Sequence, residues 1–145
     1  MTSNSPAPDA GTKRAEPESL RARTLSASLT VQDIAKSLTW YRDVLGFTVD
    51  QKYEREGKLR AVSLKAGSVR ILINQDDGSK GLERVKGQGL SLQITTAQSI
   101  DDVANRIKQA GGALDSEPAD MPWGVRMFRL RDPDGFIFVV SSERP

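Results

Sequence analysis

Two arginines, Arg70 and Arg129, are the side chains with the clearest potential for chemistry, and each lies on a predicted strand. A guanidinium presents forked donors that match a carboxylate or a phosphate group. Hydrogen-bonding and apolar side chains lie at alternate positions of the predicted strands. These are Ser26, Ser28, Asn74 and Gln93, with Leu72, Met127 and Val139 as the apolar members. Such a mixture is typical of small-molecule pockets.

The chain contains no cysteine and no histidine, which excludes several classes of site. A thiolate nucleophile, a His-dependent catalytic triad and a zinc or iron site with histidine ligands are all ruled out. The 21 Lys and Arg residues against 19 Asp and Glu give a net charge of only +2, and the signs are interspersed. This pattern does not favour nucleic-acid binding.

Membrane segments are also not predicted. No run approaches the roughly 18 consecutive apolar residues of a membrane span, and no apolar segment follows Met1. We therefore expect a soluble, cytoplasmic protein without a membrane partner.

A strand and a helix are the first elements that position the candidate side chains. Apolar residues alternate from Leu29 to Val31 with the period of a half-buried strand. A helix is expected to begin at about Asp33, because aspartate caps a first turn well. Its apolar stripe consists of Ile34, Leu38, Tyr41 and Leu45, and Gly46 ends it. Three strands follow, over residues 47–53, 60–65 and 69–74.

The same order of elements then begins again. Leu90, Leu92 and Ile94 alternate as a strand. Ser99, with Asp102 three residues later, resembles a capping box, and Gly111 and Gly112 end the helix that follows. An extended piece near Leu114 precedes two strands, 125–131 and 137–141, that are joined by a turn at 132–135. The sequence therefore predicts an α+β fold of two similar modules.

The remaining segments are polar. Residues 1–22 are rich in Ser, Pro, Ala and charge, so we expect a flexible tail before a domain at 23–145. Module one covers about 25–76 and module two about 87–142. The polar stretch 75–86 separates the modules, and its charged segment 75–80 is most simply a solvated linker, with a lid over the cup as the alternative.

Two stretches carry a resemblance to a known family. The run from Leu29 to Phe47 and the segment from Trp123 to Gly135 resemble the vicinal oxygen chelate superfamily, which includes glyoxalases, bleomycin resistance proteins and dioxygenases. The resemblance implies two βαβββ modules whose mixed sheets curve around a cup, with the helices on the outer face. It also implies a homodimer, because cups in this family are often completed across a two-fold interface.

The resemblance further implies four metal-ligand positions, which are occupied here by Ser26, Leu72, Gly89 and Val139. A divalent ion needs several oxygen or nitrogen donors that converge on one point. These four residues do not form such a set, so we predict neither a metal nor another cofactor.

Three functional hypotheses remain. The first is a metal-free binding protein of the bleomycin-resistance type that sequesters a small, partly aromatic, anionic compound, with an implied role in antibiotic resistance. Arg70 and Arg129 would converge on its anionic group. Trp123 would stack on the ligand, plug the open end of the cup or form a contact in the dimer. The second is a metal-free enzyme with Glu56, Asp76 or Asp77 as a base. The third is a structural or regulatory module whose tail binds a partner.

Overall fold

The computed structural model describes residues 19–144, and their elements follow the predicted order. The first module contains β1 (Ala27–Val31), α1 (Ile34–Thr39), β2 (Thr48–Arg55), β3 (Lys58–Ala66) and β4 (Val69–Gln75). The second contains β5 (Ser91–Thr96), α2 (Ile100–Gln109), β6 (Leu114–Asp120), β7 (Arg126–Arg131) and β8 (Ile137–Ser142). Most of the predicted tail, residues 1–18, lies outside the described residues.

Each module forms one four-stranded mixed sheet. The strand orders are β1-β4-β3-β2 and β5-β8-β7-β6. In both sheets the first and last strands of the module pair in parallel, and the other pairs are antiparallel. The prediction of an α+β fold with two βαβββ modules is thus confirmed.

The predicted capping residues begin both helices. The Asp33 carboxylate accepts a hydrogen bond from the backbone N–H of Lys36, at 3.2 Å, and Ser99 Oγ accepts one from that of Asp102, also at 3.2 Å. The side-chain oxygen of Gln75 accepts from the backbone N–H of Ile34 at 2.9 Å, which ties the end of β4 to the start of α1. Orphan donors of both first turns are thereby satisfied.

The first helix differs from prediction in its second half. The spacing of its apolar residues predicted a regular α-helix up to Leu45, whereas residues Trp40–Leu45 are π-helical. The backbone N–H groups of Gly46 and Phe47 both donate to the carbonyl of Tyr41, at 3.0 and 2.8 Å. Gly46 takes the left-handed conformation (φ 97°) that this ending requires, as the sequence indicated.

The helices of the two modules meet in one hydrophobic core. Tyr41 stacks edge-on against Phe138 of β8, with ring centroids 5.8 Å apart, and Trp40 lies 6.4 Å from the same ring. Trp40 of the first module therefore packs beside the second module. At the end of α2, Gly112 approaches Val44 so closely that an added Cβ would lie 2.6 Å from Val44 Cγ1.

Polar contacts reinforce this junction at the turn between β7 and β8. The buried Tyr41 hydroxyl donates to Asp132 Oδ2 at 2.7 Å. Burial raises the pKa of Tyr41, and the neighbouring Asp132 raises it further, so the phenol stays protonated. Asp134 accepts from the backbone N–H of Gln32 at 2.9 Å and from Ser37 Oγ at 3.4 Å. Hydrogen bonds therefore join the turn at 132–135 to the start of α1.

The segment between the modules is not simply the solvated linker that its composition predicted. Lys86 Nζ lies 2.9 Å from Asp76 Oδ2 and 3.7 Å from Asp134 Oδ1, and the Lys86 and Asp76 side chains are only 6% and 2% exposed. Burial of these two charges costs desolvation free energy, which is offset because the charges neutralise each other. No helix within residues 19–144 is long and apolar enough to cross a membrane.

Candidate functional site

Each sheet packs its helix on one face, and the opposite face, here called the open face, carries the predicted site residues. On the open face of the first sheet, Leu72 lies between Ser28 and Ser63 on neighbouring strands. In the next row, Asn74 lies between Thr30 and Ala61. Asn74 Nδ2 donates to Ser28 Oγ at 2.9 Å, so these two predicted residues are joined.

Sequence reasoning missed two residues of this face, Asp50 and Tyr53. The β2–β3 register is irregular between Val49 and Gln51, and Asp50 reaches the open face at this bulge. Tyr53 lies opposite Ala61, so its 45% exposed ring belongs to the same face. An aromatic residue in a polar strand was the available signal for Tyr53. A bulge has no comparable signature in the sequence.

Asp50 neutralises the arginine of this face. Arg70 Nη1 donates to Asp50 Oδ2 at 2.8 Å, Ser63 Oγ donates to the same oxygen at 3.3 Å, and Lys65 Nζ lies 3.8 Å from Oδ1. The hydrogen bond from Arg70 holds the pKa of Asp50 below its usual range. Asp50 is therefore ionised at neutral pH and already paired.

The open face of the second sheet has a different character. Val139 lies between Gln93 and Arg129, and Ser141 lies between Thr95 and Met127. Val139 is only 3% exposed, so it forms an apolar floor beneath its longer neighbours. The predicted residues Gln93, Met127, Arg129 and Val139 are thus brought together.

The arginines of this face differ in their partners. Arg131 Nε donates to Asp115 Oδ2 at 2.6 Å. Arg129 forms no hydrogen bond or ion pair with another residue in the described part of the chain. The second sheet therefore presents one arginine whose donors are available.

Ser26 and Trp123 lie away from the strand rows. Ser26 precedes β1 and is exposed, and Trp123 lies on the loop before β7 with 56% of its surface exposed. The four family ligand positions do not fit a metal ion, since Leu72 and Val139 have no donor atom in their side chains. Across residues 19–144, no three acidic side chains converge to hold a metal ion.

The two open faces are not joined to each other. The modules contact through the π-helical segment and α2, and their cross-module hydrogen bonds run to the turn at 132–135. Among the residues described, no hydrogen bond or ion pair joins a side chain of one open face to a side chain of the other. Arg70 and Arg129 therefore share no hydrogen-bonded or ion-paired neighbour within residues 19–144.

A separate groove lies at the junction of the modules, with a volume of about 730 Å³. Its lining includes the apolar residues Phe47 and Ile94 and the charged residues Lys65, Arg106 and Glu143. Of the open-face residues named above, only Lys65, whose ammonium also approaches Asp50, and Thr95 line it. The groove is a second concave region that an experiment must distinguish from the open faces.

Of the three acids suggested as catalytic bases, Asp76 is poorly placed for that role, whereas Glu56 and Asp77 are exposed and line one concave region beside Tyr53. Asp76 is buried in its ion pair, and the hydrogen bond from the Gly78 N–H, followed by that from Lys86, lowers its pKa to about 2. Asp77 accepts from the backbone N–H of Ser79 at 2.9 Å. Glu56 lies in the turn between β2 and β3 with a positive φ of 54°.

Comparison with known proteins identifies the architecture. The family model described as Glyoxalase/Bleomycin resistance protein/Dioxygenase superfamily matches residues 23–140. Virulence protein STM3117 of Salmonella typhimurium is 27% identical over 118 residues, which are 79% of each chain.

Solved structures give the same result. A superfamily member from Sphaerobacter thermophilus is 25% identical, with a TM-score of 0.69 over 85% of this chain and 98% of that chain. TioX from Micromonospora sp. ML1 is 19% identical, with a TM-score of 0.68 over 83% of this chain and 98% of that chain, and it supports the fold alone.

Proposed function

The chain belongs to the glyoxalase/bleomycin resistance protein/dioxygenase superfamily, and we propose that it binds a small organic ligand without a metal ion, in a cup that two copies build together. The open face of the first sheet would form one wall, and the open face of a partner's second sheet the other. A role in sequestering an antibiotic-like compound and a cytoplasmic location belong to the same proposal.

The observation that carries this proposal is the position of the helices. A cup within one chain would need the two open faces to confront each other, with the helices far apart on the outside. Here the helical segments of the two modules contact each other and share a core. A ligand pocket buries most of its ligand, which one open sheet cannot do. A second copy related by two-fold symmetry would supply the missing wall, and the dimer would contain two such cups.

Exposed sheet edges support association. Among the strands of residues 19–144, β1 pairs only with β4 and β5 only with β8, so each has an edge that no described strand covers. Leu25 and Leu90, which precede these two strands, are exposed large apolar residues. Free strand edges flanked by exposed apolar side chains favour pairing with another chain.

A mixing experiment tests where the cup forms. Leu72→Arg would block the first open face, and Met127→Arg the second. Each variant alone should lose binding of a compound selected by thermal-shift screening of small aromatic acids and amides. In a mixed dimer, one cup would carry both substitutions and the other neither. Co-expression with two different tags, followed by tandem purification, should therefore restore about one site per dimer.

Failure of complementation in a verified mixed dimer would place both walls in one chain and contradict the shared cup. Arg106→Met, in the groove between the modules, is the matched control, and it should leave affinity unchanged. If Arg106→Met abolished binding while the two open-face variants retained it, the ligand would occupy the groove instead. Addition of EDTA should not weaken binding, because the family ligand positions lack donors.

A further inference from the structure

The two open faces offer very different charge environments to an anion. On the first, Arg70 is paired with Asp50 at 2.8 Å, and the same carboxylate attracts Lys65 at 3.8 Å. An incoming anion would have to compete with a carboxylate that is already in place. Although Lys65 leaves this face with a net positive charge, the guanidinium of Arg70 is therefore not free to pair with the anion.

On the second open face, the charge pair formed by an arginine within residues 19–144 lies at the end of β7. Arg131 is held by Asp115 at 2.6 Å near the turn. Arg129, one row further in, has no carboxylate partner among residues 19–144, and its cross-strand neighbours are Val139 and Ser116. Gln93, on the far side of Val139, adds an amide to the same row.

We propose that Arg129 is the residue that determines selectivity for anions in this cup, and that its ligand is an aromatic or alicyclic monocarboxylate. The inference rests on the proposed binding function. One unpaired guanidinium matches one carboxylate through two parallel N–H···O bonds. The buried Val139 and half-buried Met127 beside it suit an apolar ligand body. Arg70 has a different role, since it compensates Asp50.

Paired probes separate charge recognition from general binding. 2-Naphthoate and its neutral analogue 2-naphthamide have nearly the same shape and differ by one negative charge. Arg129→Met should weaken naphthoate about 10- to 100-fold, the usual worth of a charge-assisted contact, and should change naphthamide less than about twofold. Arg70→Met should weaken naphthoate less than about threefold, because this guanidinium is already paired.

A gain-of-affinity variant sharpens the test. Asp50→Asn would release Arg70 and Lys65, so naphthoate should bind about two- to fivefold more tightly while naphthamide is unaffected. Arg131→Met is the matched control on β7, and like Arg70→Met it should weaken naphthoate less than about threefold. Titration calorimetry measures each affinity, and circular dichroism verifies the fold of each variant.

The outcomes separate the two levels of proposal. If the unmodified protein binds neither probe, the binding function fails and this assignment fails with it. If both probes bind but Arg70→Met weakens naphthoate as much as Arg129→Met does, only the assignment of Arg129 is overturned. The same holds if Arg129→Met weakens naphthamide as much as naphthoate. Weaker naphthoate binding in Asp50→Asn would also overturn it.

Discussion

The helix-side face and the open face of each sheet differ in how their side chains are packed. The helix-side residues of both modules, such as Ile73 and Phe138, are fully buried and join a single core. Ile137 and Val139, which flank Phe138 in β8, lie on the open face. Because strand side chains alternate, a shift of one residue exchanges a core position for an open-face position. These strands therefore divide their residues between the buried core and the open faces, for which a binding role is proposed.

Truncation on the helix side should give the largest loss of stability. Phe138→Ala removes a fully buried ring that contacts both Trp40 and Tyr41, and should lower the free energy of unfolding by about 3–5 kcal/mol. Its neighbour Ile137, on the open face, is only half-buried, so Ile137→Ala should cost clearly less. Urea denaturation monitored by circular dichroism measures both. Equal losses would mean that the open face is also packed within the chain.

The close approach of the modules should give the next largest effect. In Gly112→Ala the new Cβ would lie 2.6 Å from Ile107 Cγ2 and 2.6 Å from Val44 Cγ1. We expect about 1–3 kcal/mol of destabilisation from this overpacking. Val44→Ala removes one of the clashing methyl groups, so the double variant should lose less than the sum of the single variants. Strict additivity in denaturation would contradict a direct contact between the modules.

The ion pair of the inter-module segment should make stability pH dependent. The folded-state pKa of Asp76 is about 2, below its ordinary value of 3.8. Its contribution is therefore complete above pH 3.8 and is lost as the pH falls from there towards 2. The melting temperature should fall over this window, and the fall should be smaller in Asp76→Asn. Burial raises the pKa of Asp132, which acts in the opposite direction. An unchanged pH profile in Asp76→Asn would show that other carboxylates control acid unfolding.

Removal of the amino-terminal segment should have the smallest effect. Residues 19–22 carry no strand or helix, and Leu20 is 88% exposed. Deletion of residues 1–22 should change the free energy of unfolding by less than about 0.5 kcal/mol and leave the association state unaltered. Sedimentation velocity tests the second part. Dissociation of a dimer on truncation would assign the segment a role as an interaction arm.

Much of the fold was predictable because its signals are local. The caps at Asp33 and Ser99 and the stop at Gly46 depend on residues a few positions apart, and all three are confirmed. The π-helical segment at Trp40–Leu45 was not predicted, since the local spacing fits a regular α-helix equally well and does not reveal that Trp40 and Tyr41 contact Phe138 of β8. The binding role of the open-face residues stays a prediction.

By itself, the sequence determined which side chains share a face in the strands without bulges, and it excluded histidine and cysteine chemistry, since alternation and composition need no long-range information. Only the tertiary structure decided which charges are paired. A bulge in β2 brings Asp50 to Arg70, 20 positions away, while Arg129 is left without a carboxylate in the described part of the chain. It also decided that the helices of the two modules meet. Both outcomes depend on distant segments packing together, and strand periodicity carries no information about such packing.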